Sequence, residues 1–127
     1  TVRGCISDMP EPRDLLDLSK AIYAQHEGEF AYRTVISRAY YSTFYCSKAI
    51  HDDRELGHIG ATHEAISKAL QADKKLQSIG NQMDSLRRSR KHADYHLHKP
   101  VTPSQAKRVL SMAHALHCSV EKAQGEG

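Results

Sequence analysis

KKLQSIGNQMDSLRRSRKHADYHLHK, residues 74–99, is the stretch on which the fold turns. An apolar stripe runs through it as Ile79, Met83, Leu86, Ala93 and Leu97, at spacings of four, three, seven and four. That is the period of an amphipathic helix and not the alternation of a strand. The seven-residue step skips position 90, which is Arg90. At about 100° per residue, position 90 falls near the middle of the apolar face. A guanidinium cannot shed its proton there, so it must find acceptors or water. Asp94, one turn later, is placed to pair with it. Arg90 therefore either snorkels at the core edge beside Asp94 or lines a cleft or subunit interface and faces an anion.

Working outward, this helix is expected from about Lys75 and is ended by Lys99-Pro100, since a residue before proline leaves the helical region. Gly80 inside it costs about 1 kcal/mol relative to alanine. Thr102-Pro103 opens a last helix with Ala106, Val109, Ala113, Leu116 and Val120 on one face. In the other direction, Thr62 caps a third helix that turns Ala65, Ile66, Ala69 and Leu70 inward. Before it, HDDRELGHIG (51–60), with Gly57 and Gly60, is a loop. A second helix is predicted from about Phe30 to Ile50, striped by Ile36, Ala39, Tyr40, Thr43, Cys46 and Ile50. The first starts at Pro10 and Pro12, carries Leu15, Leu18, Ala21 and Ile22, and ends at Gly28. No alternating run of β-branched residues is present. The fold class is all-α: an up-and-down four-helix bundle with a fifth short helix. A single domain over residues 1–127 is expected, with its core at about 10–123.

Composition bounds the function. With 39% hydrophobic and 26% charged residues, the 127-residue chain can build one core and is not of the disordered class. A formal charge of +3 and nine histidines suit an anionic partner, more so on acidification. Cys5, Cys46 and Cys118 are too few and too scattered for a disulfide framework, so a reducing cytoplasm is expected. No segment has the length and apolarity of a membrane span, and residues 1–10 lack the apolar core of a signal peptide.

On the other side of the basic helix, Arg88, His92 and His96 recur every four residues as a ladder, with Tyr95 beside it. Arginine holds phosphate oxygens and imidazole moves protons near neutral pH, so the set suits phosphate chemistry. A solvated basic face is the bland alternative. His92 with His96, or His114, His117 and Cys118, are the alternatives for a metal site, but no metal and no cofactor is expected. Tyr40 and Tyr41 read as core and interface packing. Arg33 and Arg38 either line the cleft or, as is expected, lie in solvent, and Cys46 reads as a small core residue rather than a nucleophile.

RTVISRAYYSTFYCSKA in the second helix resembles the paired-tyrosine helix of HEPN domains, the higher eukaryote and prokaryote nucleotide-binding family. RRSRKHADYH resembles the signature of the same family, an arginine followed four to six residues later by a histidine. Arg90 and His96, with five residues between them, are in range, and so are Arg87 and His92. GATHEAISKAL is similar to the third element, so the resemblance covers about residues 12–122. It implies a bundle of four or five helices, a homodimer, and RNA or nucleotide as ligand. It further implies metal-independent endoribonuclease activity, with arginine and histidine of both subunits meeting in a shared cleft. Many small prokaryotic members are toxins encoded beside a minimal nucleotidyltransferase antitoxin. Their tighter pattern is arginine, four residues, histidine, one residue, tyrosine. Here it reads Arg88, Ala93, Tyr95, with alanine in place of the histidine.

On that resemblance the catalytic candidates are Arg90, which stabilises charge on the phosphoryl oxygens, His96 as base or acid, and Arg88 holding the backbone. Binding candidates are His92, Asp94, Tyr95, Arg87, Tyr40 and Tyr41. The alternative is a catalytically inactive dimeric module that binds nucleotide or a partner protein.

Overall fold

The structure is a computed structural model that describes residues 11–56 and 62–126. It contains α1 (Pro12–Gln25), α2 (Glu29–Asp53), α3 (His63–Ala72), α4 (Gln77–Tyr95) and α5 (Pro103–Glu126), and no strand among the described residues. This is the expected all-α architecture. Helix α2 is its axis and packs against each of the other four. Helix α1 lies against α2 and α5, and the short α3 lies across α4 and α2. The interdigitated centre is built from Val35, Ala39, Tyr40 and Ile50 of α2 with Met83, Leu86, Val109 and Leu116 of α4 and α5. Cys5, Pro10, Gly57 and Gly60 lie outside the described residues.

Local chemistry sets the helix ends. Pro12 occupies the first turn of α1, where its missing N–H costs nothing, and Asp14 accepts the Glu11 N–H at 2.8 Å. Thr62 caps α3 as expected, its hydroxyl accepting from Ala65 N at 3.1 Å. Thr102 and Gln105 cap α5 reciprocally: the Gln105 side chain accepts the Thr102 N–H, and the Thr102 hydroxyl accepts the Gln105 N–H.

Four boundaries and faces differ from expectation. Helix α1 stops at Gln25, and Gly28, at φ +108°, is the N-cap of α2 instead of the end of α1. Helix α2 continues to Asp53, with Lys48 and Asp52 paired at 2.6 Å along the extra turn. In α1 the buried residues are Leu16 and Ser19, while Leu18 is 51% exposed, because packing on both α2 and α5 rotates the inward face. Leu97 is 59% exposed, because α4 ends before reaching it.

Gly80 is explained by close packing. A Cβ there would lie 2.6 Å from Gln71 N and 3.0 Å from Leu70 C, both backbone atoms of α3. The helix-propensity penalty of glycine is thus the condition for α3 and α4 to touch. We predict that Gly80→Ala lowers stability by about 1–3 kcal/mol, although alanine is the better helix former. Urea denaturation reads this, and an unchanged or raised midpoint contradicts it.

His117 is buried and lies 3.1 Å from Ser42 Oγ. Burial, reinforced by Arg13, His114 and Lys20 and opposed by Glu121, brings its pKa down to about 4. The unfolded chain therefore takes up a proton near pH 6.5 that the folded chain refuses, so stability falls as pH drops from there toward 4. The expected loss is on the order of 2–3 kcal/mol. Urea midpoints at pH 7 and pH 4.5 test it, with His117→Gln flattening the difference.

The metal alternatives do not assemble. His114 points to Lys20 Nζ at 3.4 Å, Cys118 is exposed, and no three His, Cys, Asp or Glu residues are grouped for a metal among the described residues. Cys46 is a core residue whose burial pushes its thiol up to about 12. No helix of the described residues is long and apolar enough to cross a membrane.

Candidate functional site

Position 90 behaves as a cation forced into an apolar stripe must. The Arg90 side chain is 13% exposed. Its Cζ lies 5.6, 5.3 and 5.4 Å from the ring centroids of Tyr40, Tyr41 and Tyr95. Three aromatic faces thus surround the guanidinium and offset part of its desolvation. Nη2 donates to Tyr41 Oη at 2.7 Å. Nε is 3.3 Å from Asp94 Oδ2, an ion-pair distance, yet its N–H is not aimed there and is buried without a hydrogen-bond acceptor. Burial alone pulls the Arg90 pKa down, but the Tyr41 hydrogen bond and the neighbouring Tyr41, Tyr95 and Asp94 outweigh it and raise it further. The result is a permanent cation with donor capacity left over.

The adjoining wall holds a residue that the sequence reading did not single out. His63, in the first turn of α3, stacks on Phe44 with centroids 3.8 Å apart and sits edge-on to Tyr41 at 5.7 Å. Its Nδ1 is 2.7 Å from Tyr40 Oη. Tyr40 is fully buried, and burial drives its pKa up despite Arg90 and Arg87, so it stays a phenol and donates to Nδ1. Burial, then the nearby Arg90 and Arg87, lower the His63 pKa and keep the ring neutral. Its remaining proton is therefore on Nε2. No spacing rule links His63 to Arg90, because the two lie on different helices joined only by folding.

The predicted site residues divide between two faces of α4. Arg90, Asp94, Tyr95, Tyr40 and Tyr41 come together on one. Arg88 and His92 line a hollow on the other, against α5. Arg87 is held by Asp84 Oδ1 at 2.8 Å, and the same carboxylate takes Arg88 through Oδ2 at 3.1 Å. His96 follows the last residue of α4, with its ring 6.2 Å from His92 and 5.8 Å from His98. Tyr95 lies on the Arg90 side instead of flanking the ladder. Six helical positions turn through roughly 600°, so His96 leaves α4 about 120° away from the direction of Arg90.

Arg33 fixes where that histidine emerges. Although expected in solvent, its side chain is only 4% exposed and is turned onto the end of α4. Nη1 donates to the carbonyls of His92 (3.3 Å), Ala93 (2.9 Å) and His96 (3.3 Å). Nη2 donates to Leu97 O at 3.4 Å and to Lys99 O. Glu29 neutralises the guanidinium at 3.2 Å and accepts Val101 N–H through its second oxygen at 3.3 Å. The His92 and His96 carbonyls also accept the backbone N–H of His96 and Lys99, so Arg33 is their second donor. For Ala93, Leu97 and Lys99 it is the donor that the helix end leaves wanting, with the favourable sign for the helix dipole.

A comparison with protein families matches residues 15–123 to the HEPN domain. The chain belongs to the HEPN domain family, which points to a nucleotide- or RNA-related function and to a fold that typically dimerises. No curated protein matches the chain.

We predict that Arg33→Met costs on the order of 2–4 kcal/mol, because it strands buried carbonyls and unpairs Glu29. Amide exchange at residues 96–101 should accelerate more than the global loss accounts for. Uniform acceleration across all helices argues against a local clamp.

Proposed function

We propose that this HEPN protein acts on RNA as a homodimer, with Arg90 gripping a backbone phosphate and His96 moving protons in a cleft shared by two subunits. The observation that carries this is the Arg90 guanidinium, caged by three tyrosine rings yet keeping an unused buried N–H. Rings and a fork of donors suit a base stacked beside its phosphate. A second subunit is the natural source of the missing partner, since one helix turns His96 away from its own Arg90.

The surface supports the same arrangement. Phe30 and Leu97 border a hollow that shares Arg38 and Asp94 with the next one, which holds Tyr41 and Tyr45. That one shares Leu15 and Tyr45 with a third, which reaches Leu18. Five exposed large apolar side chains (Leu18, Phe30, Tyr45, Leu97 and Tyr95) therefore lie along one continuous face that includes the Arg90 cage. A second copy covering this face buries them and brings two cages together.

In the reaction, the ribose 2′-hydroxyl attacks the adjacent phosphorus and gives its proton to His96. The P–O5′ bond breaks to leave a 2′,3′-cyclic phosphate, and the departing 5′-oxygen takes a proton from an imidazolium or from water. Arg90 stabilises the charge that accumulates on the non-bridging oxygens. The nucleophile belongs to the substrate, so this chain's part is positioning, proton transfer and charge. Pairing with a minimal nucleotidyltransferase in a toxin–antitoxin module is part of the proposal and is supported by the sequence resemblance alone.

Ala93, where the small toxins carry histidine, favours one second reading: a dimeric module that binds nucleotide or a partner protein without cleavage. Incubation with RNA in EDTA separates the two. Cleavage of RNA but not of DNA, reduced about 10²–10⁴-fold in Arg90→Lys and His96→Ala, is the expected result. RNA that is bound yet left intact by the wild-type dimer leaves only the binding module.

A further inference from the structure

The face of α4 opposite the Arg90 cage carries a basic hollow that the proposed reaction leaves unused. Arg88, Ser89 and His92 of α4 face Gln105 and Arg108 of α5 across a cavity of about 240 Å³. Its apolar wall is Ile36, Val101 and Val109, and no carboxylate is among its lining residues. Arg108 has no ion-pair or hydrogen-bond partner among the described residues. Arg88 uses Nη1 on Asp84 and keeps Nε and Nη2. The Gln105 carbonyl is taken by the Thr102 N–H at 2.8 Å, which leaves its amide N–H2 as the unused end. His92 Nε2 is 3.3 Å from Pro100 O, which holds the ring against the cavity.

Two guanidiniums on facing helices, with the Gln105 amide between them, make a socket rich in donors and free of carboxylates, while the Ser89 hydroxyl spends its proton on Ser85 O at 3.5 Å. Like charges brought together across such a gap repel unless an anion sits between them. We propose that this hollow binds a phosphoryl group, with Arg88 and Arg108 closing on its oxygens from either side. The volume decides how much of a ligand enters. At about 240 Å³ it is smaller than the roughly 300–1,000 Å³ of pockets that enclose a whole small molecule. The phosphate and the edge of its sugar enter against Val101 and Val109, and the base stays outside. The phosphoryl group is the monoester of a free nucleotide or a diester in an RNA strand, since both present the same oxygens. The site stands whether or not RNA is cut at Arg90.

The test is an amide chemical-shift titration of the full chain with AMP, with adenosine, and with a short 2′-fluoro oligoribonucleotide that has no attacking hydroxyl. AMP or the oligonucleotide should move Ser89, Val101 and Gln105, and adenosine should not. Response to AMP assigns a nucleotide site, and response to the oligonucleotide alone assigns a strand-backbone site. Arg108→Ala should weaken binding about tenfold or more, with Arg108→Lys recovering part of it. Arg90→Lys should leave these shifts in place, which separates this site from the cage. The proposal is overturned if neither phosphate ligand moves those amides, if adenosine moves them equally, or if Arg108→Ala binds as tightly as wild type while its circular dichroism melt is unchanged.

Discussion

One buried guanidinium holds the C-terminal end of α4 and the segment that follows it. Arg33, on the central helix, reaches the last turn of α4 and the segment beyond it, takes up the Ala93, Leu97 and Lys99 carbonyls, and adds a second donor to those of His92 and His96. Glu29 balances its charge and ties down Val101. Through these bonds α4 stops at Tyr95, the chain turns toward Pro100, and α5 begins at Pro103. The position of Tyr95 over Arg90, the emergence of His96 and the wall that Val101 gives to the α4–α5 hollow all depend on where that helix ends.

Arg33 and Arg90 meet the same problem, a charge that cannot be neutralised inside a helical bundle, and meet it differently. Carbonyls and a carboxylate surround Arg33, so little capacity is left for a ligand. Around Arg90, aromatic faces replace most of the acceptors, and one buried N–H has none. Aromatic rings offset desolvation by about 1–2 kcal/mol each without satisfying any donor. A cation held that way is stable enough to persist and still gains by meeting an anion. The first arrangement is a clamp, and the second keeps donor capacity of the kind the proposed phosphate contact requires.

Helix α4 therefore serves three surfaces at once. One stripe closes the core through Met83 and Leu86. A second presents Arg90 beside the tyrosines of α2 and the His63 of α3. The third lines the basic hollow with Arg88 and His92. A run of basic residues that looks uniform along the chain is divided by helical geometry between two environments, one aromatic and partly buried, the other open and shared with α5.

The primary structure by itself determined the helical class, the approximate spans, the Thr62 cap, the anomaly at position 90 with its Asp94 partner, and the family resemblance. All of these rest on spacings within a single helix or on local capping, which a linear pattern records. Only the tertiary structure decided that Arg33 is buried, that Gly80 is a contact point between helices, that Leu16 and not Leu18 faces inward, that His63 completes the tyrosine wall, and that Arg88 and Arg90 look in different directions. Each of those depends on which helix lies alongside and at what rotation. Long-range packing sets that rotation, and it leaves no periodic trace in the chain.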